Sequence, residues 1–148
     1  MSTKKKTPTL KRGEVLVMKV VEADGSSYGG FVWPTTVGGD VEAPDWDPVA
    51  SCGNGLHGWL WGLGDLGACS GRDDKADAVW LALAVSADEV IDLHGKVKFR
   101  RCRIVAKGDR TTIGNFIAAR RPSGTPMPMF GQAAAGYAGQ AAAGYAGQ

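Results

Sequence analysis

The chain has 148 residues, 44% of them hydrophobic, and 22 glycines, about twice the usual share. That suffices for one core and favours turns and strands over long helices. Net charge is +2, no apolar run approaches the roughly 18 residues of a spanning helix, and no apolar stretch follows the N-terminal lysines, so neither a membrane span nor a secretory signal is expected.

Residues 1–12, with Lys4, Lys5, Lys6, Lys11 and Arg12, are expected to be a basic, flexible N-terminus. Residues 13–121 form the expected globular domain. EVLVMKVVEA, residues 14–23, is a Val-rich strand, and Asp24 to Ser27 reads as a turn. YGGFVWP, residues 28–34, reads as a second strand pairing with the first as a hairpin and ending at Pro34. Residues 35–50 read as an irregular loop anchored by Trp46. SCGNGLHGWLWGLGD follows at 51–65. Its Asn54-Gly55 pair is a turn signal, because both residues tolerate positive φ. Leu56, Trp59 and Trp61 then enter the core with Trp80, each indole contributing about 2–3 kcal/mol on burial.

After a charged loop at 71–78, VWLALAVSADEVIDL at 79–93 reads as a buried strand, a break at 86–88 and a short second strand. KVKFRRCRIVAKG, residues 96–108, reads as one long strand. Val97 and Phe99 share one face and Cys102, Ile104 and Ala106 the other, so a bulge is expected between Arg100 and Arg101. Residues 110–121 form the expected helix, capped by Asp109 or Thr111, with an Ile113, Phe116 and Ile117 stripe. Arg120 and Arg121 suit its C-terminal dipole and Pro122 stops it. Residues 122–132 read as a Pro-rich linker. AAAGYAGQ then stands twice, at 133–140 and 141–148, and TPMPMFGQ at 125–132 fits the same frame loosely. The fold class expected is α+β: a small, twisted, mainly antiparallel sheet of five or six strands with one C-terminal helix. The repeat tail would be a nascent β-solenoid or a flexible appendage.

Charge is segregated. The N-terminus carries +5, residues 13–95 carry −11, residues 96–121 carry +8, and residues 122–148 carry none. Opposite charges on neighbouring strands would cancel. The alternative is a basic binding face of Lys98, Arg100, Arg101 and Arg103 for nucleic acid or an acidic partner.

Cys52, Cys69 and Cys102 have no paired spacing and read as free thiols in a reducing compartment. With His57 and His94 they could ligate a metal, but zinc sites usually show two close ligand pairs. No metal and no cofactor is expected. If the chain is an enzyme, Cys52 is the nucleophile, His57 its base, and Asp45, Asp47 or Asp65 orients the ring. Gly53, Gly55 and Gly58 make neither a dinucleotide fingerprint nor a P-loop. The reading preferred for 51–65 is a turn that seeds a core.

The box Cys52-Gly53-Asn54-Gly55-Leu56-His57, followed by an apolar strand and Lys96-Val97-Lys98-Phe99, resembles an uncharacterised family of phage and bacterial proteins, some with Gly/Ala-rich repeats. The layout is also distantly similar to the ADP-ribosyltransferase core, which implies NAD held by an early His and a late Glu. Only His57 could serve here, and no Glu follows Glu89. Ala135-Gly136-Tyr137-Ala138-Gly139-Gln140 resembles the octapeptide of ice-nucleation proteins. That implies stacked coils with Tyr137 and Tyr145, and Gln140 and Gln148, in ladders. Ala and Gln stand where that family's ice-ordering Thr would be.

The function expected is a non-catalytic structural or interaction module of phage or prophage origin, heading or capping the repeat array. The alternatives are a transferase-like or Cys/His enzyme and a nucleic-acid-binding or inhibitor protein. Expected partners are further copies through the tail or another protein, with nucleic acid the third class and no membrane. The expected location is a bacterial cytoplasm or a virion.

Overall fold

The computed structural model describes residues 10–27, 31–65 and 76–132. Among them lie seven strands and one helix: β1 (Glu14–Val21), β2 (Asp40–Glu42), β3 (Leu56–Leu60), β4 (Val79–Ser86), β5 (Ile91–Asp92), β6 (Val97–Phe99), β7 (Arg101–Gly108) and α1 (Arg110–Arg120). The strands form one sheet in the order β2-β7-β4-β1-β3-β6-β5, every pairing antiparallel. The architecture is thus mostly sheet, with a single helix at its end.

The centre is made by the two longest apolar runs. β1 and β4 pair from Glu14↔Ser86 to Val21↔Val79. Both are almost wholly buried because both faces of the sheet are covered. Alternation sorts their side chains. Val17, Val21, Leu81, Leu83 and Val85 point into a cluster with Trp33, Leu56, Val97, Phe99 and Ile104. Leu16, Met18, Val20, Trp80, Ala82 and Ala84 point the other way, onto Ile113 and Ile117 of α1. α1 forms as expected: Asp109 accepts a hydrogen bond from the Thr112 N–H (2.8 Å), and Arg121 Nη1 donates to the Ala118 carbonyl (2.7 Å).

Residues 96–108 depart from the expected single strand. The chain breaks at Arg100: β6 pairs with β3 and β5, whereas β7 pairs with β4 and β2. β6 and β7 stand in opposite halves of the strand order yet are joined by one residue. The sheet therefore curls until its halves meet at Arg100, whose carbonyl accepts from the Ala43 N–H (2.8 Å). The bulge is elsewhere in β7. Leu83 faces Ile104 and Ala82 faces Ala106, so Val105 is the extra residue. Val105 and Ala106 accordingly turn to the helix side, away from Cys102 and Ile104.

Three further expectations change. The hairpin of 14–23 with 28–34 is reduced, among the described residues, to one bridge, Ser26↔Val32, because β1 gives its two edges to β3 and β4. The loop at 35–50 contains β2. Residues 128–132 also do not behave as a spacer. Pro128 is buried against Gly62, and Phe130 meets Trp80 edge to face (5.3 Å). The repeats at 133–148, with Tyr137, Gln140, Tyr145 and Gln148, lie outside the described residues, as does Cys69.

Candidate functional site

The box at 52–57 is a tight turn running into β3. The positive φ falls on Gly53 (95°) and Asn54 (53°), one residue earlier than the expected Asn54-Gly55 pair. β3 then pairs with β6, setting Leu56 opposite Phe99 and His57 opposite Lys98. Trp46 lies over the turn: a Cβ at Gly55 would stand 3.0 Å from its ring, so a larger residue there would require the indole to shift.

Three polar contacts hold this corner. The Gly53 N–H donates to His57 Nε2 (3.1 Å). Lys98 Nζ donates to the Gly53 carbonyl (3.1 Å) and sits 5.4 Å from the Trp46 ring centre. Lys96 Nζ donates to Cys52 Sγ (3.0 Å). His57 is half-buried, and burial, then the Lys96, Lys19 and Lys98 charges, lower its pKa to about 4. The ring is therefore neutral at pH 7. Its Nε2 accepts, so the proton sits on Nδ1. As a base toward Cys52, His57 would first have to release the Gly53 N–H. Of the residues expected to orient it, Asp47 uses its carboxylate to accept from the Val49 N–H (3.1 Å), and Asp65 offers its backbone carbonyl, not its carboxylate, to Trp59 Nε1 (3.0 Å). Asp45 is exposed.

His94 is exposed on a turn beside Asp92, and Cys102 is buried in β7, where burial pushes its thiol pKa far up. Among the described residues no three His, Cys, Asp or Glu side chains come together to hold a metal ion. Leu56, Trp59 and Trp80 are buried, with Trp59 stacked on Trp80 (6.1 Å), while Trp61 is half-buried.

The basic residues of 98–103 do not share one open face. Lys98 is 0% exposed. Arg100 faces Glu42 (3.6 Å), Arg101 Nη2 binds Glu89 (3.0 Å), and Arg103 grips both oxygens of Glu14 (3.0 Å each). Burial raises the Glu14 pKa, but the Arg103 fork and the Lys11 N–H outweigh it and the net shift is downward. The basic block thus meets the acidic middle. The sequence pattern set Lys96 and Lys98 downstream of the box but did not show that they touch it; their two-residue spacing, which puts both on one strand face, was the available signal.

Residues 15–117 match a family described as a domain of unknown function, DUF7666. The ice nucleation protein InaU of Pantoea ananas is 35% identical over 114 residues, covering 76% of this chain and 10% of that protein. An ice nucleation protein of Pseudomonas syringae is 35% identical over 117 residues (76% and 9%), and one of Xanthomonas campestris pv. translucens 32% over 122 residues (81% and 7%). The chain spans about a tenth of the length of these relatives. Matches this long cannot be confined to the repeat tail and include the sheet. No solved structure matches.

These relatives overturn the phage or prophage origin, because they are ice nucleation proteins of bacteria. The cytoplasmic or virion location is corrected with it. No helix among the described residues is long and apolar enough to cross a membrane, which says nothing of a β-barrel. By the match over residues 15–117, the chain belongs to the DUF7666 family.

Proposed function

We propose that this chain supplies a folded sheet domain of an ice-nucleation-like bacterial protein, acting together with the octapeptide tract and not through chemistry at Cys52 and His57. The observation that carries the reading is the 35% identity to ice nucleation proteins over a stretch that includes the sheet. Two copies of AAAGYAGQ in the same chain agree with it. So does the box geometry, in which His57 Nε2 is spent on a backbone N–H. Association of copies through the tail belongs to this reading, with Tyr137 and Tyr145 stacking and Gln140 and Gln148 forming amide ladders.

Exchange of the domain tests it. In the Pantoea ananas relative, the aligned segment is replaced by this chain's own, and droplets of cells carrying the chimera are frozen. The chimera is expected to freeze droplets within about 2 °C of the parent, and an unrelated folded domain of equal size in that position to lower the freezing temperature further. Equal freezing by the unrelated domain refutes the proposal.

A further inference from the structure

The segment TPMPMFGQ, residues 125–132, fits the octad frame of AAAGYAGQ only at its closing Gly-Gln. The structure shows why it departs elsewhere. Pro128 is buried on Gly62, where a Cβ on Gly62 would stand 2.6 Å from the proline Cβ. The Met129 N–H donates to the Gly62 carbonyl (2.9 Å). Phe130 stands edge to face on Trp80, with the Arg110 guanidinium 4.9 Å from its ring centre. The shared positions are held through the backbone. The Gln132 N–H donates to Asn115 Oδ1 (2.8 Å), and Gly131 lies against α1, where a Cβ on Gly114 would come within 2.7 Å of the Gly131 nitrogen. The octad's first residue is fixed too: Arg121 Nε donates to the Thr125 carbonyl (3.0 Å).

We propose that residues 125–132 are the first octad of the tract, adapted to dock, and that the Gly62, Trp80, Gly114 and Asn115 surface is its receptor, tethering the tract to the domain at Gln132. Position six of the octad carries the adaptation. Phe130 fills the space beside Trp80, and the Ala138 that follows in frame is too small to do so. The Gly-Gln end meets the helix through backbone atoms that every octad has. Reading 125–132 as an octad rests on the ice-nucleation-like reading of the tail; the docking itself does not.

Amide hydrogen exchange on the full chain tests this. The Met129 and Gln132 amides are expected to exchange at least tenfold more slowly than in a free peptide. Phe130→Ala, which installs the tail's own residue at that position, is expected to bring both to within threefold of free-peptide rates while β1 and β4 amides stay protected. Gly114→Val is expected to do the same; if it also exposes β1 and β4, Phe130→Ala decides alone. Free-peptide rates in the unaltered chain, or unchanged protection in Phe130→Ala, overturn the proposal. Freezing of the chimera does not enter this readout, so each reading can fail without the other.

Discussion

At the scale of single residues, His57 is held as a neutral acceptor. Its folded pKa of about 4 lies below the ordinary 6.5 because burial, and then nearby lysine charges, oppose the cation. The unfolded chain binds the proton more readily throughout that window. Stability is therefore full above pH 6.5 and falls as pH drops toward 4, by about 1–2 kcal/mol once the ring's partial exposure is discounted. Urea titrations across pH 4–7 read this directly. His57→Gln, which keeps an acceptor for Gly53, is expected to flatten the difference, and an equally steep fall in that variant would place the titration elsewhere. The sequence showed the residue types of the box and its turn. It did not show what His57 bonds to, because the Gly53 N–H reaches the ring only once two left-handed residues have folded the chain back.

Among the elements, the long apolar runs and the short strand that follows the break after β4 were legible, whereas β2 and β3 were not. β1, β4 and α1 each carry enough period or capping chemistry to stand alone. β2 has three residues, and its charged Asp40 and Glu42 flank a single buried Val41, too little pattern to separate from loop. The slip in 96–108 was visible, but its form was not: Arg100 is where the chain changes partners, and the added residue is Val105. A glycine sets the meeting of β1 with β3. A Cβ on Gly58 would stand 2.5 Å from Val17 Cγ1 and 2.6 Å from the Met18 carbonyl. Gly58→Ala is expected to cost about 2–3 kcal/mol, since backbone cannot yield as a flexible side chain would. Denaturant unfolding measures it, and a loss under about 0.5 kcal/mol would mean the strands can part cheaply.

Over the whole molecule, the two apolar clusters share their strands. Val17 of β1 serves one and Leu16 and Met18 the other; β4 divides likewise. Neither cluster can dissolve without removing the strands that carry its neighbour. Indole fluorescence and far-ultraviolet circular dichroism are thus expected to report one coincident unfolding transition. Two separated midpoints would show that the halves joined at Arg100 melt independently. This closure was beyond the sequence, since it depends on which strands become neighbours.

The strand order also bears on crowding. Its outermost members, β2 and β5, are three and two residues long, and β2 bears two acids. So short and charged a margin gives a neighbouring molecule almost no ladder to extend. The described sheet is therefore a poor template for edge-to-edge growth of this domain.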